Sequence, residues 1–175
     1  MSLTFRPATR SDITPLLALI QSAYRGPSSR AGWTTEADLL EGDRISPATL
    51  DAKITHPSDI ILLAYSSDQE LVACCELVHR DDERAYFGLF AVTPPLQAAG
   101  IGRQVLQRAE EYAVKQWGTK TMEMCVIWTR EELIAWYVRR GYRLTGDKKP
   151  FPYEELEKGM PLRHDLYFDV LEKEL

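Results

Sequence analysis

The segment from Phe90 to Arg103 constrains this chain most: a short apolar strand, a Thr93-Pro94-Pro95 turn, then Gln97-Ala98-Ala99-Gly100-Ile101-Gly102-Arg103 opening a helix. Such a strand, loop and helix start can cradle a pyrophosphate. Gly100 and Gly102 let a ligand approach the backbone without a Cβ in the way, and the helix start presents unpaired N–H groups and the positive end of its dipole. Ala98 and Ala99 add little bulk. The same two glycines also suit an ordinary tight strand-to-helix connection, so the motif must be weighed with the rest of the chain.

Two commoner phosphate motifs fail on these residues. A dinucleotide fingerprint needs a third glycine where this chain has Val105. A P-loop needs Gly-Lys-Ser/Thr, whereas Gly118-Thr119-Lys120-Thr121 inverts the order and lacks the upstream glycine.

What remains resembles the acyl-coenzyme A motif of the GNAT N-acetyltransferase family, Gln/Arg-x-x-Gly-x-Gly/Ala, matched by Gln97, Gly100 and Gly102. That family places Ala-Val-x-Pro just upstream, and the chain has Ala91-Val92-Thr93-Pro94. It places Tyr-x-x-x-Gly-aromatic about one helix and one strand downstream, and Tyr137-Val138-Arg139-Arg140-Gly141-Tyr142 stands there. The three features span about residues 85 to 145. The resemblance implies an α/β (α+β) fold: a mixed, strongly twisted sheet of about six to seven strands flanked by about four helices, with two strands splayed into an acyl-CoA cleft.

Bulk properties agree. A length of 175 residues suits one domain, residues 1–175, and 45% hydrophobic with 27% charged residues describes a globular chain able to bury a core. No apolar run approaches a membrane span, and the N-terminus lacks the regions of a signal peptide, so a cytoplasmic protein with no membrane partner is expected. A net charge of -5 argues against nucleic acid as a partner. Cys74, Cys75 and Cys125 give neither a disulfide framework nor a metal pair, and no metal is expected.

Periodicity predicts a strand at Leu3–Arg6 and a helix after Asp12 with Ile13, Leu16, Leu17 and Ile20 on one face. A short helix is expected over about Thr35–Glu41, and another from Pro47 to about Thr55. Ile60–Tyr65 and Leu71–His79 read as a hairpin, and Ala85–Val92 as the next strand. The helix after Gly100 closes at Gly118; Thr121–Trp128 is a strand, and Glu131–Arg140 a helix stopped by Gly141. Tyr142–Thr145 and Leu166–Leu171 read as the last strands, joined by a long loop holding Pro150-Phe151-Pro152-Tyr153.

The resemblance assigns roles to particular residues. Acetyl-CoA is the implied co-substrate. Backbone groups at Phe90, Ala91 and Val92 would pair with pantetheine, and Gln97, Ala98, Ala99, Gly100, Ile101, Gly102 and Arg103 would hold the phosphates. Arg130 replaces an asparagine that contacts coenzyme A in relatives; it would bind a phosphate or sit solvated at the helix start. Tyr137 matches the tyrosine that protonates the departing thiolate. A phenol near 10 against a thiol near 8.5 makes full transfer uphill by roughly 2 kcal/mol, so a lowered pKa or simple hydrogen bonding is required.

The general base is not transferred, because Tyr86 stands where well-known members carry a glutamate. Glu76 and Glu123 are the candidates, through water, and each also suits an ordinary strand residue; His79 is weaker. For the acceptor, Tyr24, Trp33 and Glu36, with Asp38 and Glu41, suggest an aromatic and acidic surface for a cationic amine, although the acids also suit solvated positions. Tyr86 joins that site, and Phe151 with Tyr153 either walls the pocket or pins the loop. The expected activity is N-acetylation of a small-molecule or peptide amine, and the resemblance implies a homodimer as a partner state. A catalytically weak acyl-CoA-binding or sensing domain is the alternative.

Overall fold

The computed structural model describes residues 1–156 and 160–175. Strand β1 (Thr4–Pro7) leads into helix α1 (Ile13–Tyr24), the single turn α2 (Gly26–Ser29), the two-residue strand β2 (Leu40–Glu41) and α3 (Pro47–Thr55). Strands β3 (Asp59–Tyr65), β4 (Leu71–His79) and β5 (Arg84–Val92) follow. Helix α4 (Ile101–Trp117), β6 (Thr121–Ile127), α5 (Glu131–Val138), β7 (Arg143–Pro150), β8 (Met160–Pro161) and β9 (Tyr167–Glu174) complete the chain. Seven strands form one mixed sheet in the order β1-β3-β4-β5-β6-β9-β7, while β2 pairs with β8. This is the expected sheet, within its predicted strand count.

Each helix follows from its residues. Leu16, Leu19, Ile20 and Ala23 recur at helical spacing in α1 and are buried. Ser46 caps α3, its hydroxyl accepting from Thr49 N at 3.1 Å, and Pro47 occupies the first turn. Gly118 ends α4 in the left-handed region. Alternation along the strands then builds two cores. Ile61, Leu63, Cys74 and Leu89 pack against α1 and α3 on one face. Leu62, Leu77, Phe87 and Met124 pack on the other against Val105 and Ala109 of α4 and Leu133 of α5. Each fully buried Leu or Ile contributes about 1.5–3 kcal/mol.

The feature that shapes the site is a bulge. Cys74 pairs with Ala91 and Glu76 with Gly88, so β5 carries one residue more than β4 between these pairs. Leu89 absorbs the excess with φ of 43°. β5 meets β6 in parallel only from Arg84–Tyr86 against Thr121–Glu123, whereas β6 stays paired with β9 as far as Ile127↔Phe168. Past Tyr86 the two strands diverge, as the resemblance implies.

Two expectations are corrected. No helix forms over Thr35–Glu41; Leu39 N and Leu40 N both bond Glu36 O, and Leu40 pairs with Pro161. Burial of Glu36, Leu39 and Leu40 decides that segment, overriding helix propensity. The strand expected at Tyr142–Thr145 runs from Arg143 to Pro150, with an irregularity between Leu144 and Lys148. As an edge strand it is polar, Lys148 pairing with Asp169 at 3.1 Å, and this hides it from a search for apolar alternation. No helix of the described residues is long and apolar enough to cross a membrane.

Candidate active site

Gly100 precedes α4 with φ of 80°, and Ala98 before it also has positive φ, 70°. The first bond into the helix is Gln104 N to Gly100 O at 3.3 Å, so the preceding N–H groups have no partner within it. A Cβ on Gly102 would lie 3.2 Å from the Phe90 ring and 3.5 Å from Trp136; its absence lets both aromatics pack under the helix start. A cleft of about 440 Å³ opens there, lined by Phe90, Val92, Gln97, Ala98, Gly100, Gly102 and Arg103 among others. The predicted cradle residues therefore converge, Ala99 beside them in the loop and Ile101 buried as the helix anchor.

Gln97 does a different job from the one expected. Its Oε1 accepts from Trp33 N and Thr34 N at 2.9 and 3.2 Å, and its Nε2 donates to Thr34 Oγ1 and Val92 O at 2.9 and 3.1 Å. The side chain is thus a clip joining β5, the loop and residues 33–34. Trp33, expected in the acceptor site, lines the cleft instead.

Sequence reasoning missed Trp136, Arg139 and Arg140, which also line the cleft. Arg140 lies 3.6 Å over the Trp136 ring and donates to Trp136 O at 2.7 Å, while its Nε is buried without a partner. Burial, then the charges of Arg139 and Arg103, lower its guanidinium pKa. Cations crowded this way suit an anion in the cleft. The signal was an adjacent arginine pair within the quoted Tyr137–Tyr142 motif.

On the β5 edge, Thr93 N bonds Val72 O toward β4, so the backbone groups of Val92 and Phe90 turn the other way, into the splay. Their carbonyls are met there by Gln97 Nε2 and by Tyr24 Oη, the latter at 2.7 Å. Ala91 pairs with Cys74 and faces β4.

A second pocket, of about 120 Å³, lies in the gap between β5 and β6 and shares Thr34, Phe90 and Leu133 with the cleft. Its walls come from both faces of the sheet: Tyr24 and Tyr86 on one side, Phe87 and Tyr137 on the other. Tyr137 sits on the buried side of α5, edge-on to Phe87 and Tyr142 at 6.5 and 5.8 Å. Among the described residues its hydroxyl has no protein hydrogen-bond partner. Burial pushes its pKa well above the ordinary phenol value, the opposite of the lowering that proton transfer would need. Burial likewise raises Tyr24 to about 12 and raises Tyr86.

Glu76 stands behind this pocket. A Cβ on Gly88, which lines it, would lie 3.5 Å from Glu76 Oε2, while Oε1 accepts from Lys53 Nζ at 2.6 Å. Glu123 is not brought there. It is the last residue of β6 that pairs with β5 and is ion-paired with Lys149 at 2.9 Å and Arg84 at 3.8 Å. His79 stacks on Trp117, away from both cavities.

The acidic acceptor surface is corrected. Glu36 is buried, with Arg25 Nη1 on Oε2 at 2.5 Å and Arg130 Nη1 on Oε1 at 2.9 Å. Burial works to raise its pKa, but Arg130, Arg44 and Arg25 together hold it below the ordinary carboxylate range. Asp38 pairs with exposed Arg30, and Glu41 is exposed in β2. Arg130 likewise does not reach the cradle, because its second nitrogen donates to Thr34 O at 2.6 Å. Phe151 packs on Tyr153 and Phe168 at 4.8 and 5.5 Å; it supports Phe168, which lines the pocket, rather than walling it.

The fold recurs in solved structures. A GNAT acetyltransferase from Elizabethkingia anophelis with acetyl-CoA bound superposes with a TM-score of 0.72 at 21% identity, covering 99% of this chain and 98% of that one. A chimera of spermidine N-acetyltransferase SpeG from Vibrio cholerae and hSSAT gives 0.73 at 17%, covering 99% and 96%. The PaiA N-acetyltransferase from Thermoplasma acidophilum in complex with coenzyme A gives 0.69 at 16%, covering both chains fully. No curated protein matches by sequence. The family model "Acetyltransferase (GNAT) family" matches residues 19–142, which include β5, the cradle, the splay and Tyr137. The chain belongs to the GNAT acetyltransferase family.

Proposed function

We propose that this protein is an acetyl-CoA-dependent N-acetyltransferase that acylates a primary amine by direct attack on the thioester. The observation that carries the reading is the splay of β5 from β6, which leaves Tyr137 in a pocket continuous with the Gly100–Gly102 cleft. The cleft fits the co-substrate's charge: helix-start N–H groups with Arg103, Arg139 and Arg140 suit a pyrophosphate. Bound acetyl-CoA supplies the activated carbonyl. A spermidine N-acetyltransferase chimera has this fold, which supports a small-molecule amine as the acceptor here.

The chain's own residues then divide the work. The Phe90 and Val92 backbone orients the pantetheine arm as a sheet edge orients a peptide. Glu76, through a water at Gly88, accepts the proton of the attacking amine. Tyr137 keeps its own proton across the neutral range and donates a hydrogen bond to the sulfur as it leaves.

Substituting Tyr137→Phe tests this reading. Losing such a donor lowers kcat by about 10²-fold or more, read as free thiol release. The calorimetric Kd for acetyl-CoA stays within a factor of about 2–3, because the lost bond forms only as the sulfur departs. Unchanged turnover in the variant contradicts the assignment. Absence of turnover in the wild type, with tight acetyl-CoA binding, marks a sensing domain instead.

A further inference from the structure

Arg44 is a cation of the splay pocket that forms no ion pair among the described residues and acts on Glu36 only from a distance. Its guanidinium carbon lies 4.9 Å from the Tyr24 ring centroid, and its charge reaches Tyr24, Glu36 and Tyr86. Glu36, the one carboxylate among the described lining residues, is already divided between Arg25 and Arg130. Arg130 is in turn anchored on Thr34 O. One carboxylate therefore serves a neighbourhood of three guanidiniums, and the remaining positive charge faces a pocket of about 120 Å³. Charge left unmatched in a half-closed space is stabilised when a ligand brings the complementary anion.

Tyr24 fixes where that anion would lie relative to the chemistry. Arg44 lies over the Tyr24 ring, 4.9 Å from its centroid, while the Tyr24 hydroxyl donates to Phe90 O at 2.7 Å, at the point where the β5 edge opens. Arg44 and the splay thus meet the same tyrosine, one over its ring and the other at its hydroxyl, so an anion on Arg44 and an amine at the splay lie close together. That arrangement fits a compact molecule carrying both groups and opposes a polycation.

We propose that the acceptor is a small primary amine that also carries a carboxylate, an amino acid in the broad sense, bound with its carboxylate on Arg44. The proposal rests on the acetyltransferase reading and names the substrate class of the same site. It reverses the cationic acceptor surface expected from Glu36, Asp38 and Glu41, since Glu36 and Asp38 are engaged by arginines.

The test is thiol release from acetyl-CoA by the wild-type protein with matched acceptors: L-leucine against isopentylamine, L-phenylalanine against phenethylamine, β-alanine against ethylamine, and spermidine alongside. In at least one pair the carboxylate-bearing member is preferred by about 10-fold or more in kcat/KM, the effect of roughly 1.4 kcal/mol. Arg44→Gln removes that preference mainly through KM, leaves the calorimetric Kd for acetyl-CoA unchanged, and is partly rescued by Arg44→Lys. Wild-type preference for the decarboxylated amines or for spermidine overturns the proposal and leaves the acetyltransferase reading intact. If no acceptor turns over, titration of the same amino acids into protein saturated with coenzyme A decides. Binding that Arg44→Gln abolishes upholds the proposal, and no binding overturns it. Failure of acetyl-CoA to bind overturns the acetyltransferase reading, while titration of the amino acids into the free protein still judges Arg44.

Discussion

Glu36 shows how a single residue can change meaning between sequence and fold. In the sequence it is one of several acids near Tyr24 and Trp33, and nothing local distinguishes it from a solvated side chain. In the fold it is the shared anion of Arg25 and Arg130, both remote enough that no periodicity pairs them with it. Replacing it with glutamine leaves Arg25, 4% exposed, without its anion. Breaking a buried pair from one side costs about 3–5 kcal/mol, and urea unfolding of Glu36→Gln should show that loss in its midpoint. The sign with pH follows from the folded pKa lying below the ordinary value of 4.5. The stabilisation is fully present above that value and is lost as pH falls through the folded one. The gap between wild type and variant therefore narrows in acid. Gly100, Gly102 and Tyr137 are legible because backbone freedom and motif spacing are local properties. Arg44 and Trp136 are not, because the cavities they line exist only where distant segments meet.

At the scale of elements, the bulge in β5 and the start of α4 make the cleft together. The bulge bends β5 off β6, and Gly102 lets Phe90 and Trp136 close the floor beneath the helix. A side chain there is met at 3.2 Å by Phe90. Gly102→Val should raise the acetyl-CoA Kd by about 10-fold or more, or 1.4 kcal/mol, checked by calorimetry; an unchanged Kd would show that the cofactor does not use this floor. The hairpin of β3 and β4 and the strand β5 are legible because their apolar runs are long and bounded by polar turns. The bulge is not, since Tyr86-Phe87-Gly88-Leu89-Phe90 carries no residue that marks which position doubles. The segment Thr35–Glu41 misleads for a related reason: its helix propensity is weak beside the burial of Leu39 and Leu40.

Across the whole molecule, charge is distributed against its own average. The chain carries a net charge of -5, yet Arg103, Arg139 and Arg140 gather at the cleft and Arg25, Arg44 and Arg130 at the splay pocket. Net charge is blind to two local basic sites, each placed where the fold offers an anion a cavity. The two cavities meet at Thr34, Phe90 and Leu133, so together they form one path from the α4 N-terminus to Tyr24. What occupies that path decides whether the protein is an acetyltransferase. Calorimetric titration of the wild-type protein with acetyl-CoA, ATP and NAD tests it most directly. One acetyl-CoA per chain, bound with a micromolar Kd worth about 8 kcal/mol and clearly preferred over ATP and NAD, is the predicted result. No acetyl-CoA binding, or binding no tighter than that of ATP or NAD, would contradict it.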